Sequence, residues 1–280
     1  MDFVTLNNGI KMPQLGYGVY QVKNSECERC VLDAIEVGYR SIDTAQAYGN
    51  EEAVGRALKK SGVPRSELFL TTKVWISNTG YKKAKASIEQ SLKKLGTDYI
   101  DLLLIHQPFG DYYGTWRAME EAYKIGYLRA IGVSNFYPDR LIDLCRFVEV
   151  TTAVNQVETH VFQQQKKAHE YMLKYEVQHE SWGPFAEGRK DFFTNPTLTA
   201  IGAKHGKTAA QAALRFLLQS GVVVIPKSTH KERMVQNFDV FDFQLPPEDM
   251  AAIATLDEGE SLFFSHYDPA TVEMITGLKR

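Results

Sequence analysis

The sequence predicts an α/β fold and, within that class, a single-domain (β/α)8 TIM barrel with an N-terminal β-hairpin cap, spanning residues 1–280. Three observations predict it. Short continuous apolar runs at 68–70, 99–105, 130–133 and 222–225 have the character of strands buried on both faces, as in parallel sheets covered by helices. Amphipathic stretches with helical spacing lie between them, so strand and helix alternate. The strand ends fall at Gly18, Asp43, Lys73, His106, Ser134, Gln156, Trp182 and Lys227, and most steps between them are 22 to 33 residues. That is room for one strand, one helix and two loops, and eight such ends describe a closed barrel better than an open doubly wound sheet.

The elements follow in chain order. Residues 3–12 carry Asn8-Gly9 between alternating residues, a hairpin signal, and this small unit is placed at the lower end of the barrel. Helices are expected at about 24–37, 50–61 and 84–95; in the last, Ile88, Leu92 and Leu95 fall on one stripe. Further helices are expected at about 115–125, 139–148, 164–175 and 208–219, with Pro138 suited by its fixed φ to a first turn. The final step, Trp182 to Lys227, is 45 residues and has room for an extra helix. A last helix is expected to begin near His230.

Composition narrows the function classes. The chain of 280 residues has 32 Lys+Arg against 34 Asp+Glu, a net charge of −2, which argues against a nucleic-acid partner. No apolar run approaches membrane-spanning length and the first residues lack the pattern of a signal peptide, so a cytoplasmic protein without membrane contact is expected. Three cysteines, an odd number, suit a reducing compartment. Cys27 and Cys30 spell C-x-x-C, but without further ligands or a thioredoxin-like context they are read as two half-buried positions on one helix face.

Other motifs fail on detail. GYGVYQ at 16–21 begins like a dinucleotide fingerprint, yet Gln21 stands where the third glycine belongs. GKT at 206–208 resembles the end of a phosphate loop, but the position that needs glycine is Ile201, and a turn between two helices is the simpler reading. The seven histidines form neither H-x-H nor H-E-x-x-H, so no metal centre is expected.

Chemistry in such barrels sits at the carboxyl ends of the strands. Three consecutive ends bring Asp43, Lys73 and His106 to one rim, with Tyr48 five residues beyond Asp43. Singly, each has a structural alternative: a helix cap, a rim charge, a bonded core histidine, a packed ring. Together they suggest proton donation to a carbonyl oxygen, in which Lys73 lowers the pKa of the Tyr48 phenol, Asp43 holds Lys73 and His106 orients the substrate oxygen. None of these groups supplies a hydride, so a cofactor is required.

The segments SIDTAQAYGNE (41–51), TKVW (72–75), LIHQP (104–108), GVSNF (132–136), NQVE (155–158) and IPKS (225–228) resemble, in order, those of the aldo-keto reductases, most of all the short bacterial branch that includes diketogluconate-reductase-like enzymes. The resemblance implies NADPH-dependent reduction of an aldehyde or ketone to an alcohol, with Asp43, Tyr48, Lys73 and His106 as the catalytic tetrad and Tyr48 as general acid. It implies that Ser134, Asn135 and Gln156 bind the nicotinamide carboxamide and that Trp182 stacks on the ring, with Gly183 in the adjoining cofactor loop. Lys227, Ser228, Thr229 and Arg233 match the segment that holds the adenosine 2′-phosphate, and Gln236 and Asn237 match the adenine contacts. The expected partner is a small carbonyl substrate of a monomeric enzyme. The alternative is a non-catalytic NADPH-binding regulatory subunit on the same barrel.

The departures are specific. SWGPF at 181–185 replaces the commoner aromatic-Ser-Pro-Leu pattern, Gln236 stands where an acid is frequent, Gln107 where many members place tryptophan, and Val161 where proline is common. Tyr20, Trp75 and Phe109, with Trp116 or Phe264, are candidates for an apolar substrate wall.

Overall fold

The computed structural model describes residues 2–278. Strands β1 (Phe3–Thr5) and β2 (Lys11–Pro13) form an antiparallel pair joined by a turn in which Gly9 takes φ +84°, as the Asn-Gly signal anticipated. The remaining strands are β3 (Tyr17–Gly18), β4 (Ser41–Asp43), β5 (Phe69–Val74), β6 (Ile100–Ile105), β7 (Leu128–Ser134), β8 (Val154–Glu158), β9 (Gln178–Trp182) and β10 (Val223–Val224). They pair in sequence order, all parallel.

The two edges meet. Leu15 bridges Val224, the Gly16 amide donates to the Val224 carbonyl at 2.8 Å, and the Val224 amide donates to the Gln14 carbonyl at 3.0 Å. This seam explains the glycine pair that imitates a dinucleotide fingerprint: a Cβ on Gly18 would lie 2.9 Å from the Ile225 carbonyl oxygen. Glycine here lets backbone close on backbone.

The helices between the strands are α1 (Asn24–Val37), α2 (Glu51–Lys60), α3 (Tyr81–Leu95), α4 (Tyr112–Lys124), α5 (Pro138–Phe147), α6 (Lys166–Lys174), α7 (Pro196–Lys204) and α8 (Ala209–Gln219). After the barrel come α9 (Lys231–Phe238), α10 (Pro247–Ala254) and α11 (Pro269–Gly277). The long final step holds its extra helix, α7. Residues 206–208 are the turn into α8, whose start is fixed by a reciprocal cap between Thr208 and Gln211. Cys27 and Cys30 are fully buried rather than half-buried, because the α1 face they share packs into the main core.

Side chains alternate along each strand, so Phe69, Thr71 and Lys73 share one face of β5, and Val154, Gln156 and Glu158 share one face of β8. The lower interior is apolar: Leu6 and Met12 from the hairpin unit cluster with Phe69, Leu102, Leu104, Ala130, Val154 and Val223. The hairpin therefore plugs the amino-terminal end of the barrel, and a polar layer sits above the plug.

Candidate active site

That polar layer is made by strands on opposite sides of the ring. Lys73 from β5 has no solvent exposure; its Nζ donates to Asp43 Oδ1 at 2.5 Å and to the Thr44 carbonyl at 2.9 Å. Gln156 from β8 reaches across the barrel, and its Nε2 donates to Asp43 Oδ2 at 2.9 Å and to Glu180 Oε2 at 2.9 Å. Glu180 is buried on β9, directly beside Gln156 in the strand register.

Tyr48 ends a single 3-10 turn, Gln46–Tyr48, just above this layer. The loop is pinned at both sides. Gln46 Oε1 accepts from the Trp75 amide at 3.0 Å and Asn78 Nδ2 at 2.9 Å, while Asn50 accepts from Thr44 Oγ1 at 2.7 Å and donates to the Val19 carbonyl at 3.1 Å. These anchors fix where the phenol stands. Lys73 Nζ lies 5.2 Å from the Tyr48 ring centroid, and the ring meets His106 edge-on at 5.7 Å. The four residues expected on one rim are therefore brought together.

Their electrostatics differ from the sequence expectation in one respect. Burial raises the Tyr48 phenol, Lys73 lowers it by charge and hydrogen bonding, and Asp43 offsets part of that pull; the balance is a pKa pushed up to about 12. The expected lowering by Lys73 is present but loses to desolvation. Burial also disfavours the Lys73 ammonium, yet Asp43, through its charge and its hydrogen bond, leads the interactions that hold it above its ordinary value. The site thus keeps a protonated phenol beside a buried cation.

Asn135 follows β7 in the left-handed region, φ 63°, which turns its side chain back toward the barrel mouth. Its Nδ2 donates to the His106 carbonyl at 3.0 Å and its Oδ1 accepts from Trp182 Nε1 at 2.8 Å, so the Trp182 ring is tied to the rim; Ser134 Oγ donates to the Gln156 carbonyl at 2.8 Å. Gly183 follows with φ 66°. Lys227 is exposed after the last strand, and Ser228 is buried with its carbonyl held by Tyr17 Oη at 2.5 Å. Thr229 is half-buried, Arg233 and Gln236 are exposed on α9, and Asn237 is buried on it. Among the described residues Lys227 and Arg233 form no ion pair, while neighbouring Lys231 pairs with Glu36 and Arg29 with Asp33. Two uncommitted cations around the start of α9 suit a phosphate group.

The aromatic candidates divide. Tyr20 is exposed but packs on Tyr48 at 5.0 Å, and Trp75 meets His106 at 5.0 Å. Trp75 and Phe109 cluster with Phe264 and Ile275 from the carboxyl-terminal segment. Trp116 belongs elsewhere: it is fully buried in the core outside the barrel ring, with Nε1 donating to the Val150 carbonyl at 3.2 Å. A helix residue with its indole facing the sheet cannot also line the mouth.

Sequence reasoning missed the anchoring of the tail. Glu158, last residue of β8, accepts from the Leu262 amide at 2.9 Å and from Ser261 Oγ, and Gln107 Oε1 accepts from His266 Nε2 at 2.7 Å. Phe264 stacks near Trp182 at 6.2 Å. Residues 261–266 thus lie over the rim. Glu180 was also missed.

A family model described as the aldo/keto reductase family matches residues 9–258. The chain is 48% identical over 261 residues to a glyoxal reductase of Bacillus subtilis, covering 92% of this chain and 94% of that protein. It is 45% identical over 262 residues to methylglyoxal reductase DkgA of Escherichia coli, with the same 92% and 94% coverage. A crystal structure of a Bombyx mori aldo-keto reductase in complex with NADP superposes with a TM-score of 0.90 at 34% identity, covering 97% of this chain and 96% of that one.

Proposed function

The chain belongs to the aldo/keto reductase family, and from that premise we propose that it reduces small carbonyl compounds, vicinal dicarbonyls foremost, to hydroxy compounds with NADPH, Tyr48 giving the proton. The observation that carries this reading is the fully buried Lys73–Asp43 pair beneath Tyr48, with His106 edge-on to the same ring. The relatives named for glyoxal and methylglyoxal support the substrate class, and the structure crystallised with NADP supports the cofactor.

When bound, NADPH supplies the hydride. The oxygen of a carbonyl so reduced would be a far stronger base than a phenolate. A phenol kept protonated by burial can therefore donate Oη–H to it even with a pKa near 12, and Lys73 stabilises the phenolate left behind. His106 would hydrogen-bond the same oxygen and hold it toward Tyr48. Gln156, Asn135 and Ser134 would hold the carboxamide, Trp182 the ring face, Gly183 the adjoining loop, Lys227, Ser228, Thr229 and Arg233 the 2′-phosphate, and Gln236 and Asn237 the adenine. Tyr20, Trp75 and Phe109 would wall the substrate.

NADPH consumption with glyoxal, methylglyoxal, simple aldehydes and ketones tests the proposal. Turnover fastest with the dicarbonyls supports it. Tight NADPH binding without turnover of any of them refutes it in favour of a regulatory subunit.

A further inference from the structure

Glu180 stands in the polar layer without a part in the chemistry above. It is fully buried, on β9, and its neighbours there are few: Asp43 from β4 and Lys73 from β5 are the charged groups nearest it, Gln156 from β8 is neutral, and its register partner on β10 is the apolar Val223. Gln156 has two amide hydrogens. One goes to Asp43 Oδ2 and the other to Glu180 Oε2, each at 2.9 Å. With both donors committed to the barrel interior, the amide cannot flip without facing its oxygen toward two carboxyl groups, so Oε1 is the atom it presents on its other side. Glu180 Oε1 meets no hydrogen-bond partner among the described residues.

We propose that Glu180 is a positioning residue of the reducing site, which fixes the orientation of the Gln156 amide toward the nicotinamide carboxamide and, by remaining uncharged, leaves the Lys73–Asp43 pair balanced. The inference rests on the assignment of Gln156 to that carboxamide. Charge counting supports it: with Lys73 and Asp43 both ionised the layer is neutral, and a second carboxylate would leave a net buried anion. Burial first, and Asp43 second, push the Glu180 carboxyl up to about 8. Its proton sits on Oε1, since Oε2 is the acceptor for Gln156. Above that pH the ionised carboxylate opposes the pull of Lys73 on Tyr48, the phenol becomes a weaker acid, and reductive turnover falls.

Three variants test this. Glu180→Gln keeps shape and an acceptor but cannot ionise; Glu180→Leu removes the acceptor; Gln156→Ala tests the underlying assignment. NADPH affinity is read by quenching of protein fluorescence, the carboxylic-acid C=O stretch by infrared spectroscopy between pH 6 and 10, and kcat/KM over the same range, with thermal unfolding as the control for folding. The expected results are NADPH binding weakened about tenfold by Glu180→Leu and nearly unchanged by Glu180→Gln, the worth of one oriented hydrogen bond. The wild type should lose an infrared acid band and reductive kcat/KM together as pH rises through about 8, and both changes should be missing in Glu180→Gln. An alkaline limb that persists unmoved in Glu180→Gln, or no acid band lost, overturns the proposal, and this arm stands even if Glu180→Leu does not fold. If Gln156→Ala weakens NADPH while a folded Glu180→Leu does not, the role of Glu180 is refuted; if Gln156→Ala binds NADPH normally, it is the carboxamide assignment that fails, and the inference with it.

Discussion

Replacing Lys73 by methionine should expose how the barrel interior is balanced. The ammonium and Asp43 Oδ1 are 2.5 Å apart, with side-chain exposures of 0% and 3%. At an effective dielectric of ~20 their gross attraction is about 7 kcal/mol, and most of it offsets the desolvation of two ions. The single variant loses the attraction but keeps the buried Asp43 charge, so it should cost about 3–5 kcal/mol. At about 2.1 cal/mol/K per residue, a chain of 280 residues has an unfolding entropy near 0.6 kcal/mol/K, which converts the loss into roughly 5–8 °C in Tm. The double variant Asp43→Asn/Lys73→Met removes both charges and should recover most of that stability, while neither variant reduces carbonyls at an appreciable rate. Differential scanning calorimetry of the wild type, Lys73→Met, Asp43→Asn and the double variant gives the coupling energy directly. A Lys73→Met protein that unfolds at the wild-type temperature, or a double variant that costs the sum of the two singles, would refute the reasoning.

Other consequences follow from the same geometry. Arg233→Ala should weaken NADPH by about 1.5–3 kcal/mol and leave NADH nearly untouched, because only NADPH carries the 2′-phosphate; titration of both cofactors checks it, and equal weakening would assign Arg233 to the fold. Glu158→Ala should release residues 261–266 from the rim, raise KM for carbonyl substrates up to about tenfold with little change in kcat, and speed proteolysis near the carboxyl terminus. Trp116→Ala should cost about 3–5 kcal/mol in denaturant unfolding while the KM of the folded enzyme stays put, the opposite of what a pocket residue would show.

What the sequence could and could not reveal has a physical pattern. A polar residue terminating a largely apolar run is visible in one dimension, so Asp43, Lys73 and Ser134 could be set at or within a residue of their strand ends. The convergence of Asp43, Tyr48, Lys73 and His106 was legible because adjacent parallel strands must bring their ends to one rim. Glu180 was not, since its meaning depends on the β8–β9 register and on Gln156 crossing the barrel to Asp43. Trp116 misled because an aromatic on a helix gives no hint of which side of the sheet receives it. The sign of the Tyr48 shift also lay beyond sequence, being a contest between burial and a neighbouring charge.

Proton donation by Tyr48, as proposed for NADPH-dependent carbonyl reduction, is checked by the turnover rate of Tyr48→Phe at saturating NADPH with a dicarbonyl substrate. The phenyl ring keeps its packing against Tyr20 and His106 but loses the one exchangeable proton. NADPH affinity should stay within about threefold of wild type while the rate falls by roughly 10²–10⁴. A Tyr48→Phe enzyme that turns over at close to the wild-type rate would contradict it.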